Sequence, residues 1–198
     1  MNLLQWASAY GFGQRIPFEL PTSPSQVTDG GGPFGGFQDR VELANAAYGQ
    51  AEVLVTPLQM ALVAATIANH GLEMQPKLVD YLQDSNGTVT QMPSEALTQV
   101  CTSSVAAIIG QAMQQAVEGQ YGKAFAGAAK VPGVPTAGKS GTAQLGGNAA
   151  PHSWFIGYAP AGNPKIAIAV IVEGGGAGSQ RAVPLAGQLM SEYLAENP

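Results

Sequence analysis

The chain has 198 residues, a formal net charge of −5 and only 11% charged residues, which bounds it to a single domain and argues against nucleic acid as a partner. Its one cysteine, Cys101, rules out a disulfide framework and a CxxC metal pair. No basic segment precedes an apolar run, and the longest such run, Met60 to Ala68, is far short of the roughly 20 residues that span a bilayer, so neither signal peptide nor membrane helix is expected and the chain reads as soluble.

In chain order, Asn2 to Tyr10 reads as a short helix with Leu3, Leu4, Trp6 and Ala7 on or near one face, stopped by Gly11. Gly13 to Arg40 is a loop, since four prolines and the runs Gly30-Gly31-Gly32 and Gly35-Gly36 break both helix and strand. Val41 to Tyr48 has short helical character. Thr56-Pro57 is a helix start, a hydroxyl N-cap followed by proline at the first helical position. The helix is expected to run Leu58 to Asn69, buried nearly all round, with Leu58, Ala61, Leu62, Ala65 and Ala68 as its stripe and Gly71 closing it.

Lys77 to Gln91 suggests a hairpin, because Asn86-Gly87 between strand-like runs signals a type I′ turn. Ser94 to Glu118 reads as mostly helical, in two pieces, with Val105, Ile108, Ile109, Ala112, Met113 and Val117 as the apolar face. Gly119 and Gly122 end it, and Lys123 to Pro135 reads as a loop of small residues. The last third predicts an antiparallel meander. Its strands are Lys139 to Gln144, His152 to Tyr158 and Lys165 to Glu173, joined by turns too short for parallel crossovers. A terminal amphipathic helix, Pro184 to Glu196, carries Leu185, Leu189, Tyr193 and Leu194. The fold class that follows is α+β, an antiparallel sheet of at least three strands flanked by helices, in one domain.

The stretch richest in chemistry is Gly138-Lys139-Ser140-Gly141-Thr142-Ala143-Gln144. A Lys-Ser/Thr-Gly tripeptide is one of three motifs of serine acyl-transfer enzymes that bind penicillin. The same residues also satisfy the phosphate-loop pattern, as Gly133 to Ser140. That nucleotide-binding alternative lacks its context. No apolar strand precedes Gly133, and Gly141, Gly146, Gly147 and Pro151 make poor helix sequence after Lys139. A non-catalytic interaction module is the alternative from a different class. His70 and His152, the only histidines, read as structural, and neither a metal nor a cofactor is expected. Trp154 and Phe155 read as packing residues under the sheet, and Glu173 as a strand end.

Taken together, the segments resemble the C-terminal part of a class B penicillin-binding protein, a bacterial peptidoglycan D,D-transpeptidase. The resemblance rests on Tyr10-Gly11-Phe12-Gly13, on Tyr48-Gly49-Gln50 with Val55 to Ala61 and Ile67 to Gly71, on Ala137 to Gln144, and on Trp154 to Pro160 with Ile166 to Glu173. It implies an incomplete penicillin-binding transpeptidase fold, like that of the serine β-lactamases, with residues 1–198 forming the C-terminal portion of one transpeptidase domain. It also implies an enzyme on the extracytoplasmic face of the membrane. Its ligand would be a stem peptide ending in D-Ala-D-Ala, or a β-lactam.

On this resemblance Lys139 supplies positive charge at the catalytic centre. Ser140 and Thr142 bind the ligand carboxylate, and Gly141 leaves room for its approach. The Thr142 N–H would be one oxyanion donor. The chain departs from the family in one respect: no Ser has Lys three residues later or Asn two residues later, so the nucleophile motif and its S-x-N partner are absent. The chain alone is therefore expected to be inactive. The uncovered apolar surface is expected to drive self-association or pairing with the missing N-terminal segment.

Overall fold

The structure, a computed structural model, describes residues 2–197. Its centre is a three-stranded antiparallel sheet in the order β5 (Ala137–Ala143), β6 (His152–Ala159), β7 (Ile166–Val172). The register pairs Gly138 with Gly157, Ser140 with Phe155, and Phe155 in turn with Val170. The meander read from the sequence is therefore present, with its strand bounds shifted by a residue or two.

Two helices cover one face, α3 (Pro57–Ala68) and α4 (Ser103–Glu118), and α6 (Ala182–Glu196) covers the other. On the α3/α4 side, Ile67 and Met113 pack on Ala137 and Tyr158. On the α6 side, Phe155, Val170, Val183, Ala186 and Met190 form the larger core together with Val117, Ala126 and Val131. A third, smaller core sits apart. There Leu3, Leu4 and Ala7 of α1 (Leu3–Ala9), with Phe12, enclose Val27, Phe37 and Ala46 of α2 (Arg40–Ala46). Trp6 faces largely outward.

The helix starts obey local rules. Thr56 Oγ1 accepts from the Gln59 N–H at 3.1 Å, and Asp39 accepts from Val41 and Glu42. The loop from Gly13 to Arg40 is ordered by its own contacts. Phe34 pairs with Phe37, Thr28 donates to Glu42 at 2.9 Å, and Phe37 is buried.

The helix faces differ from those expected. On α3 the buried side chains are Gln59, Ala64, Thr66 and Ile67, whereas Leu58, Ala61, Leu62 and Ala65 are half-exposed. On α4 Ala106, Met113 and Val117 are buried while Val105 and Ile108 face solvent. On α6 the buried face is Ala182, Val183, Ala186, Gly187 and Met190, and Leu185, Leu189 and Tyr193 lie outside. The cause is close approach. A Cβ on Gly110 of α4 would stand 2.6 Å from the Tyr158 hydroxyl, and one on Gly187 of α6 would stand 2.6 Å from the Ala128 carbonyl. Faces this close select small residues, while periodicity read by size selects the large ones.

Three further expectations change. Ala96–Gln99 is a strand, β4, paired antiparallel with β1 (Leu72–Met74) across a bulge at Glu73/Met74. Tertiary pairing here overrides the helical reading from Ser94. The hairpin of β2 (Tyr81–Gln83) and β3 (Val89–Gln91) exists, but its turn is not type I′. Only Gly87 is left-handed, at φ +85°, and Asp84 pairs with Thr88 around a three-residue loop. The Asp84 carboxylate accepts from the Asn86 and Thr88 N–H groups at 2.9 Å each, which selects this loop over the two-residue turn. The Lys123 to Pro135 segment contains α5 (Lys123–Ala126) and a 3₁₀ turn at Gly127–Ala129, both of which contribute buried alanines. Among the described residues no helix is long and apolar enough to cross a membrane.

The sheet's tightest fit is at Gly138. A Cβ there would meet Phe155 Cζ at 2.1 Å, and Phe155 is fully buried. Gly138→Ala should therefore cost about 1–3 kcal/mol through overpacking, read as a lower urea midpoint at unchanged slope. Gly162→Ala, at a position where nothing lies within 4 Å of the added Cβ, should leave the midpoint unchanged.

Candidate functional site

Because β5 is an edge strand, one side of its backbone is not paired with another strand. All four residues expected to form the site lie on it in succession: Lys139 exposed, Ser140 and Gly141 half-buried, Thr142 exposed. Side chains alternate across the sheet. Lys139 and Gly141 lie on the α3/α4 side, opposite Ile156 and Trp154, while Ser140 and Thr142 lie on the side of Phe155 and α6.

Lys139 Nζ donates to the Ser140 carbonyl at 2.5 Å, folding its charge back over the strand edge. Thr142 Oγ1 accepts from the Gly178 N–H at 3.1 Å. Its cross-strand partner Ser153 is fully buried; Ser153 Oγ accepts from the Ala182 N–H at 3.0 Å and donates toward the Ala177 and Gly178 carbonyls. These two hydroxyls tie the site strand to the start of α6. Gly141 answers to the sheet itself, since a Cβ there would lie 3.1 Å from Trp154 Cβ.

Gln50 completes the edge, and the sequence reading gave it no role. Its Nε2 donates to the Thr142 carbonyl at 2.9 Å, and its Oε1 accepts from the Gln144 N–H at 3.2 Å. The Thr142 carbonyl therefore points off the edge. In an antiparallel strand the N–H and C=O of one residue point the same way and those of alternate residues agree. The Ser140 and Thr142 N–H groups thus also face outward. With the Ser140 carbonyl held by Lys139 and the Thr142 carbonyl by Gln50, the edge offers an extended ligand these N–H donors, with the Lys139 charge beside them. The signal for Gln50 lay in Tyr48-Gly49-Gln50, where Gly49 adopts φ +84° and sets the turn after α2.

The strand geometry is incompatible with the phosphate-loop alternative. Lys139 and Ser140 lie inside β5, so no helix N-terminus follows the glycines to hold a phosphate. His152 Nδ1 accepts from the Gly174 N–H at 3.0 Å, a structural bond between strand end and loop. Phe155 packs fully under the sheet, whereas Trp154 is half-buried on the opposite face.

A second polar cluster lies away from β5, around a cavity of about 490 Å³ lined by Gly11, Arg15, Gln59, Glu73 and Thr98 among others. Gln59 Nε2 donates to the Tyr10 carbonyl at 2.7 Å. Its Oε1 is buried without a partner. Burial raises the Glu73 carboxyl above the usual carboxylate range. Burial and the neighbouring Cys101 push the Tyr10 phenol up to about 12.

Comparison with known proteins places these features in context. Residues 2–191 match the model of the penicillin binding protein transpeptidase domain. The chain is 37% identical to the peptidoglycan D,D-transpeptidase PbpA of Mycolicibacterium smegmatis, covering 96% of this chain and 39% of that protein. It is 31% identical to PbpA of Mycobacterium tuberculosis, covering 91% and 38%. The fold superposes on the imipenem acyl-enzyme complex of the M. tuberculosis protein with a TM-score of 0.79 at 32% identity, covering 95% of this chain and 41% of that one. The chain spans about two fifths of the length of the relatives it matches.

The buried Glu73 generates a pH prediction. Its folded pKa is raised, so its contribution to stability is present below the unfolded value near 4.3 and lost as pH rises through the folded pKa. Glu73→Gln removes that loss. The variant should match the native chain near pH 4 and melt at a higher temperature at pH 7. A lower melting temperature at pH 7 would show that the ionised carboxylate is a net stabiliser.

Proposed function

The chain belongs to the penicillin-binding protein transpeptidase family, and we propose that it is the C-terminal portion of one transpeptidase domain, in a protein that cross-links peptidoglycan stem peptides through a serine acyl-enzyme. The observation that carries the proposal is the Lys139-Ser140-Gly141-Thr142 run on the open edge of β5. The D-Ala-D-Ala end of a stem peptide, or a β-lactam in its place, lies along that edge. Lys139 supplies positive charge to the ligand carboxylate and to the reacting centre. The hydroxyls of Ser140 and Thr142 bind the carboxylate, the Thr142 hydroxyl donating while its oxygen accepts from Gly178. The outward Thr142 N–H serves as one oxyanion donor.

No serine here has the nucleophile's Ser-x-x-Lys context, so the nucleophile comes from outside these residues. The whole protein acts on the extracytoplasmic face of the bacterial membrane. The half-exposed α3 stripe, Leu58, Ala61, Leu62 and Ala65, borders a cavity of about 440 Å³ lined by Leu62, Ala65, Leu72, Met74 and Pro76. That surface supports pairing with the segment that carries the nucleophile, or self-association in its absence.

Three measurements test the proposal. Incubated alone with excess benzylpenicillin, this chain should show no mass increase by intact-mass spectrometry; one β-lactam increment on any serine would overturn the assignment of the nucleophile. In the longer protein, penicillin acylation should fall about a hundredfold or more in Lys139→Ala; an unchanged rate would remove Lys139 from the site. Light scattering of the isolated chain should show association that rises with concentration, and a monodisperse monomer would show that α3 needs no cover.

A further inference from the structure

We propose that Gln50 is a strand-mimicking gate at the end of the ligand edge, and that a ligand with its own amide N–H displaces it from the Thr142 carbonyl. The proposal rests on the reading of β5 as the ligand-binding strand. Gln50 makes with its side-chain amide the pair of bonds that one residue of an added parallel strand would make with its backbone. Nε2 donates to the Thr142 carbonyl at 2.9 Å, and Oε1 accepts from the Gln144 N–H at 3.2 Å. The edge is thereby closed beyond Thr142, while before it the Ser140 carbonyl is held by Lys139 and the N–H groups of Ser140 and Thr142 are open. An extended ligand reaching Thr142 finds the N–H free and the carbonyl taken.

The surrounding backbone holds the side chain there. Gly49 and Ala51 flank Gln50 in left-handed conformations, φ +84° and +60°. For Ala51 that conformation is uncommon. The Gln50 N–H is fixed by the Asn45 carbonyl at 3.0 Å, at the end of α2. Leu54 is pinned to Gln26 in both directions, at 2.8 and 3.1 Å. The backbone is thus anchored on both sides, while the side chain lies at the surface and can rotate away without moving it. Its release costs two solvent-exposed neutral hydrogen bonds, a small free energy. A ligand amide that donates to the Thr142 carbonyl recovers one of them. A ligand without such a donor leaves Gln50 in place and binds through the N–H side alone. Gln50 therefore sets the length of ligand read by the edge and discriminates by the presence of an amide donor.

The test uses the ¹⁵N-labelled chain with two β-lactams, benzylpenicillin, which carries a side-chain amide, and imipenem, which carries a hydroxyethyl group at the equivalent position. Without ligand, the Gln144 amide should exchange with solvent markedly faster in Gln50→Leu than in the native chain, while β6 amides stay protected. Equal exchange would show that the clamp does not form in solution, and would overturn the proposal. With ligand, shifts of the Thr142 and Gln144 amides report binding. Gln50→Leu should tighten benzylpenicillin about three- to tenfold, the worth of one neutral hydrogen bond, and leave imipenem unchanged. Equal weakening of both would make Gln50 a brace for the edge, and no change in either would make it a bystander; each overturns the gate. Lys139→Ala should weaken both ligands. If neither ligand shifts β5 in any variant, the ligand-strand reading itself fails, an outcome distinct from failure of the gate.

Discussion

The structure depends on how closely β5 approaches β6 beneath one aromatic ring. Phe155 is fully buried, and its ring lies over the cross-strand pair Gly138 and Gly157. A Cβ on either glycine would come within 3 Å of the ring, so both must be glycine for the ring to lie flat on the sheet. This bed lets Phe155 reach Val183 and Met190 of α6 in the main core. It also fixes the strand that carries Lys139, Ser140 and Thr142. The edge proposed to bind the ligand and the main core are thus two sides of one strand pair, so the core holds the edge in place.

The helices extend the same rule of close approach. Each of the three that cover the sheet presents small residues inward: Ala64 on α3, Ala106 and Gly110 on α4, Ala186 and Gly187 on α6. Small faces bring backbone close to backbone, and dispersion contacts accumulate at short range. The larger apolar side chains then stand at the flanks or outside, as Leu185, Leu189 and Ile108 do. The half-exposed stripe on α3 belongs to the same pattern. Its buried side chains are Gln59, Ala64, Thr66 and Ile67, of which Ile67 packs on Ala137 and Tyr158 of the sheet, and its leucines remain for other contacts.

Polar groups at the edge divide into those committed to the fold and those available for a ligand. Thr142 Oγ1 and Ser153 Oγ anchor the turn into α6, and Ser153 caps that helix at Ala182. The Thr142 carbonyl and the Gln144 N–H are held by Gln50 across a sequence separation of more than 90 residues. The outward N–H groups of Ser140 and Thr142, and the charge of Lys139 held on the Ser140 carbonyl, are what remain for a ligand. Lys139 is the one cation on β5, on a chain of net charge −5, so under the proposed reading recognition of an anionic ligand rests on this lysine more than on the overall field.

The sequence by itself determined the elements whose signals are local. Thr56-Pro57 marked a helix start through capping chemistry, short turns imposed the antiparallel meander, and Lys139 to Gln144 sat in that meander as a strand. Their resemblance in order to one family pointed to the fold and the site strand together. What required the tertiary structure was set by distance between remote segments. Size-weighted periodicity placed Leu58, Leu185 and Leu189 inward, because nothing local reveals that Gly110 meets Tyr158 or that Gly187 meets Ala128. Ala96 to Gln99 became a strand only because Leu72 to Met74 offered it a partner. Asn86-Gly87 took a three-residue loop because the Asp84 carboxylate bonded the backbone on the far side. Gln50 joined the site through two hydrogen bonds that no spacing in the sequence encodes. A side chain's partner across 90 residues is decided by how the sheet and the α2 turn pack, and that packing is a property of the whole fold.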